Sequence, residues 1–247
     1  MNWYKLAQNL DTPNDEQKEP SELINWKDKD EMWEDVHSFH PNKNIPHLFN
    51  EGLSDDQYVR AYNDMKAFRE NFSYAIPSRE AIQELVQWLG GSQVIEIGAG
   101  RGLWARLLSE EGIAVEASDL SQLSKNKFFS PRESAAGQHG SRSKNHVFFD
   151  VKQMSGDDHA RQSTTNDTLM MVWPYFSEND DDGEDWQSNA LRSFNGSKFI
   201  FVGETAGGAT GSPALWREIS KNWRHDGSID IPRWQMIHDH IQLYVRK

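Results

Sequence analysis

The chain has 247 residues, no cysteine, ten tryptophans and a formal net charge of -12. Without cysteine there are no disulfides, thiolate metal sites or cysteine nucleophiles. The acid excess opposes broad binding to a nucleic-acid backbone, which needs basic surface.

Hydrophobic residues make up 36% of the chain, enough for one large core. No apolar run approaches the ~20 residues of a membrane helix. Nor do the first residues contain the apolar stretch of a signal peptide. These features predict a soluble, cytoplasmic protein with no membrane association.

Residues 1–55 differ in composition from the rest. They are rich in acids and lysines, and Trp3, Trp26 and Trp33 are scattered without period. The expectation is a loosely structured acidic extension that lays its tryptophans on a domain over 56–247, either as a tail or as a lid. After Ser54, Tyr58, Ala61, Tyr62, Met65 and Phe68 follow at helical spacing. Pro77 should end that helix. Ser78 is a fitting N-cap for the next, with Ala81, Ile82, Leu85 and Leu89 on one face and Gly90 and Gly91 as its stop.

Strands and helices then alternate. Strands are predicted over 93–97, 114–118, 147–150, 169–173, 198–202, 228–231 and 240–245, with helices over 103–111 and 214–223. This pattern points to an α/β sheet, mostly parallel. The linker between the last two strands is too short for a parallel crossover, so that pair should be antiparallel. Two connections stand out. Residues 121–146 carry Lys125, Lys127, Arg132, Arg142 and Lys144 against Glu133 alone, whereas residues 177–185 are almost wholly acidic.

The strongest chemical signal is Val94-Ile95-Glu96-Ile97-Gly98-Ala99-Gly100-Arg101-Gly102, a strand running through glycines into a helix. Such a turn lets a ligand approach the backbone, and the helix start offers free N–H groups. Asp119 lies 21 residues after Gly98, at the end of the second predicted strand, where a carboxylate can accept from both hydroxyls of a ribose. The glycines read G-x-G-x-G and Leu103 stands at the third dinucleotide position, so a nicotinamide site is disfavoured.

With Glu96 two residues before the first glycine, the run resembles the first motif of the class I S-adenosylmethionine-dependent methyltransferases, E/D-x-G-x-G-x-G. The resemblance extends from about Tyr74 to Lys247. It implies a Rossmann-like fold with a seven-stranded, mostly parallel sheet, an antiparallel last strand, helices on both faces and an N-terminal helical cap. The implied cofactor is S-adenosyl-L-methionine. By the same resemblance, Glu96 would orient the motif and reach the methionine amino group. Gly98, Gly100 and Gly102, with Ala99 in the same turn, would line the methionine and ribose. Asp119 would bind the ribose hydroxyls and Leu120 would lie beside the adenine. Asp150, at the predicted end of the third strand, would accept from the adenine amino group. Tyr74 falls in a segment that closes over the cofactor in many relatives.

The methyl acceptor should sit beyond the fourth strand. There Trp173-Pro174-Tyr175 loosely resembles the D/N-P-P-Y/F/W motif of amino-methylating relatives. The polar lead residue is replaced by Trp173 and one proline is missing, which speaks against DNA as acceptor. Trp173 and Tyr175 remain as aromatic pocket walls for a planar or cationic group. Glu204, after the fifth strand, is the candidate polar contact or base. His238, His240, His37 and His40 do not form a ligand set at a recognisable metal spacing. The Trp-Pro-Tyr, Val-Gly-Glu-Thr and Ile-His-Asp segments together resemble a little-characterised group of methyltransferase-like proteins. The expected activity is methyl transfer to a small-molecule N or O acceptor. The alternatives are an RNA or protein acceptor, contacted through the basic residues 121–146, or a non-catalytic cofactor-binding module.

Overall fold

The computed structural model describes residues 22–38, 54, 68–69, 71–120, 146–175, 185–234 and 237–247. The elements in chain order are β1 (Glu22–Leu23), α1 (Lys29–Ser38), α2 (Arg79–Leu89), β2 (Val94–Ile97), α3 (Leu103–Glu110), β3 (Val115–Asp119), β4 (His146–Val147), β5 (Val151–Gln153), α4 (Gly156–Arg161), β6 (Thr168–Val172), α5 (Trp186–Ser193), β7 (Lys198–Gly203), α6 (Pro213–Asn222), β8 (Trp223–Asp230) and β9 (His240–Arg246). Apart from Ser54, Phe68, Arg69, His146 and Asp185, the predicted helix after Ser54 and the basic and acidic connections lie outside the described residues.

Seven strands form one sheet in the order β5-β3-β2-β6-β7-β9-β8. The first five run parallel, and β9 inserts antiparallel between β7 and β8. The central strands are apolar on both faces, as a sheet covered on both sides requires. Their side chains alternate between two cores. Val94, Met170, Ile200 and Val202 face a core built with α2 and α3. Ile95, Ile97, Leu169, Met171, Phe199 and Phe201 face the other, closed by α5 and α6.

Local rules account for the helix that opens this core. Ser78 is extended and its hydroxyl accepts from the Ala81 amide, while Gly90 ends α2 in the left-handed region at φ 62°. Ala81, Ile82, Leu85 and Leu89 are all buried, the face the spacing predicts.

Three differences from the sequence reading have physical causes. Residues 22–38 are not loose. Met32, Trp33 and Val36 on α1 are buried in the main core, and Trp26 stacks on Phe148 with ring centroids 5.3 Å apart. Tertiary burial compensates for a polar local composition. The third sheet strand is Val151–Gln153 rather than 147–150, because His146 and Val147 pair with Glu22 and Leu23 in a separate two-stranded sheet. The last helix gives way to β8 at Trp223, whose indole is buried against Phe194 and Phe199. Among the described residues, no helix is long and apolar enough to cross a membrane.

Candidate functional site

The carboxyl ends of β2, β3 and β6 open on one cavity of about 360 Å³, where open α/β sheets place their ligands. Its lining joins the glycine turn, the start of α4, the end of β6 and the segment around Tyr74.

The glycine turn takes the shape its composition predicts. Gly98 has φ 67° and Gly102 φ 76°, conformations that a side chain disfavours. Gly98 and Ala99 line the cavity, as does Gly100. The Gly100 amide donates to Asp119 Oδ2 at 2.9 Å, and the Ala99 amide donates to the Ser118 carbonyl at 3.0 Å. The ends of β2 and β3 are thereby tied together. Gly102 does not line the cavity. A Cβ there would lie 2.7 Å from Phe149 Cβ and 3.0 Å from Val151 Cγ2, so this position serves the close packing of α3 on the β5 segment.

Glu96 projects from the middle of the sheet into the cavity and is 1% exposed. Burial pushes its carboxyl up to about 8. The Ala105 amide pulls in the other direction, and the neighbouring Asp119 charge adds to the rise. Its Oε2 is buried without a hydrogen-bond partner. A buried acceptor in that state is costly unless a ligand donor completes it.

Tyr74, Trp173, Pro174 and Tyr175 also line the cavity. Tyr74 and Trp173 stack with centroids 4.6 Å apart. Tyr175 is 62% exposed, while its backbone bridges to Thr210 and its carbonyl accepts from Gln187 at 2.8 Å. Leu120 also lines the cavity, next to Asp119.

Besides Gly102, expected to line the cofactor, two more residues chosen from the sequence stand outside the cavity. Asp150 precedes β5 instead of ending a strand, is exposed and does not line the cavity. The strand-end position assigned to it belongs to the segment after Gln153, where Ser155 and Gly156 reach the cavity. The cause is the shift of the third strand toward the C-terminus. Glu204 is buried but also outside the lining. Its Oε2 accepts from the Ala209 amide at 2.7 Å and its Oε1 from the His238 amide at 2.9 Å. It therefore closes the glycine-rich loop against the segment before β9, which sequence position alone does not reveal.

Trp186 was not anticipated. It is the first residue of α5 and lines the cavity. Cβ atoms added at Gly98 and Gly156 would each lie 3.3 Å from its ring, so two bare backbone positions seat the indole. The Asp185 N-cap, whose side chain accepts from the Ser188 amide at 2.6 Å, is the sequence signal that marks this helix start.

No family model matches the chain, and no curated protein matches it. Solved structures with a similar chain path include the magnesium protoporphyrin IX methyltransferase of Synechocystis PCC 6803 with bound SAM. It is 15% identical, over 80% of this chain and 100% of that chain, with a TM-score of 0.43. A second is the Burkholderia thailandensis 1,6-didemethyltoxoflavin-N1-methyltransferase with its substrate and S-adenosylhomocysteine, 16% identical over 79% of this chain and 91% of that one, TM-score 0.44. A third is a TehB-like SAM-dependent methyltransferase from Corynebacterium glutamicum, 14% identical over 78% and 97%, TM-score 0.39. In strand order, in the reversed β9 and in the glycine turn between β2 and α3, this chain has the Rossmann-like fold of the class I methyltransferases.

Proposed function

We propose that the chain binds S-adenosyl-L-methionine in the crevice above β2 and β3 and transfers its methyl group to a small-molecule N or O acceptor held at Trp173 and Tyr175. One observation carries the reading. Glu96 presents a buried oxygen without a partner in a cavity that Asp119, on the adjacent strand, also lines, the pair that a ligand with an ammonium and a ribose would satisfy.

When bound, the cofactor supplies an electrophilic methyl group on a sulfonium sulfur. The chain's residues bind and orient. Glu96 accepts from the ammonium, which also relieves the cost of its buried charge. Asp119 accepts from the ribose hydroxyls and is held in place by the Gly100 amide. Tyr74 and Trp173 form an apolar wall that positions a planar acceptor and keeps water from the reacting centre. The polar lead residue of the amino-methylating motif is absent at Trp173, which disfavours DNA.

Calorimetry with S-adenosylmethionine, S-adenosylhomocysteine and NAD on wild type and Asp119→Ala tests the cofactor. Both adenosyl ligands should bind, and the variant should weaken them about tenfold to a hundredfold, the loss of hydrogen bonds to a charged group. Tight NAD binding, or no binding of either adenosyl ligand, sinks the proposal. A second reading, a non-catalytic cofactor-binding module, is supported by Glu204 facing backbone amides instead of the cavity. Labelled-methyl transfer into a metabolite extract separates the two. An RNA or protein acceptor would show itself by turnover that falls steeply with salt.

A further inference from the structure

Trp173 is the one non-glycine residue with positive φ among the described residues, at 50°. A bulky side chain does not stay in that conformation unless its surroundings over-determine it. Three contacts hold it. Its amide donates to the Val202 carbonyl at 2.7 Å. Its ring stacks on Tyr74 with 23° between the planes. Its indole N–H reaches both carboxylate oxygens of Asp239, each at 3.0 Å.

Asp239 is 1% exposed and does not line the cavity. It stands just before β9, 66 residues from Trp173 in sequence. The Arg69 guanidinium carbon lies 5.0 Å from the Tyr74 centroid and 5.1 Å from that of Trp173. Arg69 and Arg233 offset the buried charge of Asp239, while Glu204 adds to it. Asp239, Trp173, Tyr74 and Arg69 thus form one contact chain, and its two aromatic members face the cavity. A carboxylate is suited to this role because it offers lone pairs on two oxygens to a single donor, and the charge strengthens the bond.

We propose that Asp239 is a positioning residue for the methyl acceptor: by holding the indole N–H it keeps Trp173 in its left-handed conformation and sets the Tyr74–Trp173 wall. The proposal rests on the methyl-transfer reading of the cavity. It assigns Asp239 no contact with the reacting atoms and none with the cofactor.

The test compares Asp239→Leu and Asp239→Asn with wild type in the full chain. Three quantities are read: the Trp173 indole N–H resonance by NMR, S-adenosylhomocysteine affinity by calorimetry, and labelled-methyl transfer from S-adenosylmethionine into a metabolite extract. Asp239→Leu should shift the indole resonance and lower transfer about tenfold or more, with affinity for S-adenosylhomocysteine within about twofold of wild type. Asp239→Asn keeps an oxygen acceptor, so its resonance should move less and its transfer should largely survive. An unmoved indole resonance in either variant overturns the proposal, whatever the chain methylates. So does wild-type transfer by a folded Asp239→Leu. If Asp239→Leu does not fold, the Asp239→Asn resonance decides. Wild-type protein that binds no S-adenosylhomocysteine overturns the methyl-transfer reading instead, and the resonance still decides whether Asp239 holds Trp173.

Discussion

The Gly100 amide and the Asp119 carboxylate meet at 2.9 Å, so the residue expected to hold a ribose also holds the turn expected to line it. Replacing Asp119 therefore removes two functions at once, and the two substitutions available separate them. Asp119→Asn keeps an oxygen for Gly100 and should weaken S-adenosylhomocysteine less than Asp119→Ala, with melting close to wild type. Asp119→Ala leaves the Gly100 amide without this partner and should also lower stability by about 1 kcal/mol. Calorimetric affinity and thermal melting of both variants check this. Equal losses in both would mean that only the charge matters.

Glu96 gives the site a pH dependence of definite sign. Its carboxyl is raised from 4.5 to about 8 by burial, so between these values the folded chain holds a proton that the unfolded chain has released. Stability should accordingly fall as pH rises from about 5 to 8. Asp239, pushed up to about 7 by burial, acts in the same direction. Glu96→Gln should flatten the decline without abolishing it. A ligand ammonium favours the ionised form, so affinity for S-adenosylhomocysteine should rise over the same window in wild type and not in the variant. Melting and binding across a pH series measure both. Parallel melting curves for the two proteins would contradict the assignment.

Two glycines predict opposite balances of stability and binding. At Gly102 both the positive φ and the 2.7 Å approach of Phe149 oppose a side chain, so Gly102→Ala should cost about 2 kcal/mol or more in denaturant unfolding. Gly156 does not carry a positive φ, and an added Cβ there would press on Ile97 at 3.1 Å and on Trp186 at 3.3 Å. Gly156→Ala should therefore displace Trp186 and reduce ligand affinity with a smaller loss of stability.

Gln187 is fully buried and joins three elements. Its amide donates to the Tyr175 carbonyl at 2.8 Å and accepts from the Ser212 amide at 2.9 Å. Gln187→Leu fills a similar space but leaves both backbone groups without that partner, each at a cost of about 1–3 kcal/mol. The variant should melt well below wild type. Tyr175→Ala, at an exposed side chain, should not.

The parts of the site legible in the sequence were those set by local rules. The glycine spacing after an apolar strand, the acid before it and Asp119 at the next strand end occur within 24 residues, and each is placed by strand period and turn chemistry. Helix α2 was legible for the same reason: its cap, its apolar face and its stop are consecutive. Helix α5 was not, because buried Gln187 and Ser188 read as surface residues until their partners are known. Asp150 was misplaced because a two-residue pairing with Glu22 and Leu23 takes up His146 and Val147 and moves the sheet strand onward. Nothing near residue 147 signals a partner more than a hundred residues earlier.

The sequence by itself determined the α/β alternation, the glycine turn, the antiparallel closing pair and the candidacy of Glu96 and Asp119, because these depend on neighbours within a few residues. Only the tertiary structure decided which carboxylates face the cavity. Glu204 directly follows a strand as Asp119 ends one, yet backbone amides of Ala209 and His238 hold both its oxygens. Asp239 stands just before β9, yet it holds the Trp173 indole from 66 positions away. The physical reason is that a buried polar atom takes whichever partner the fold brings within about 3 Å, and that partner is set by packing between distant segments.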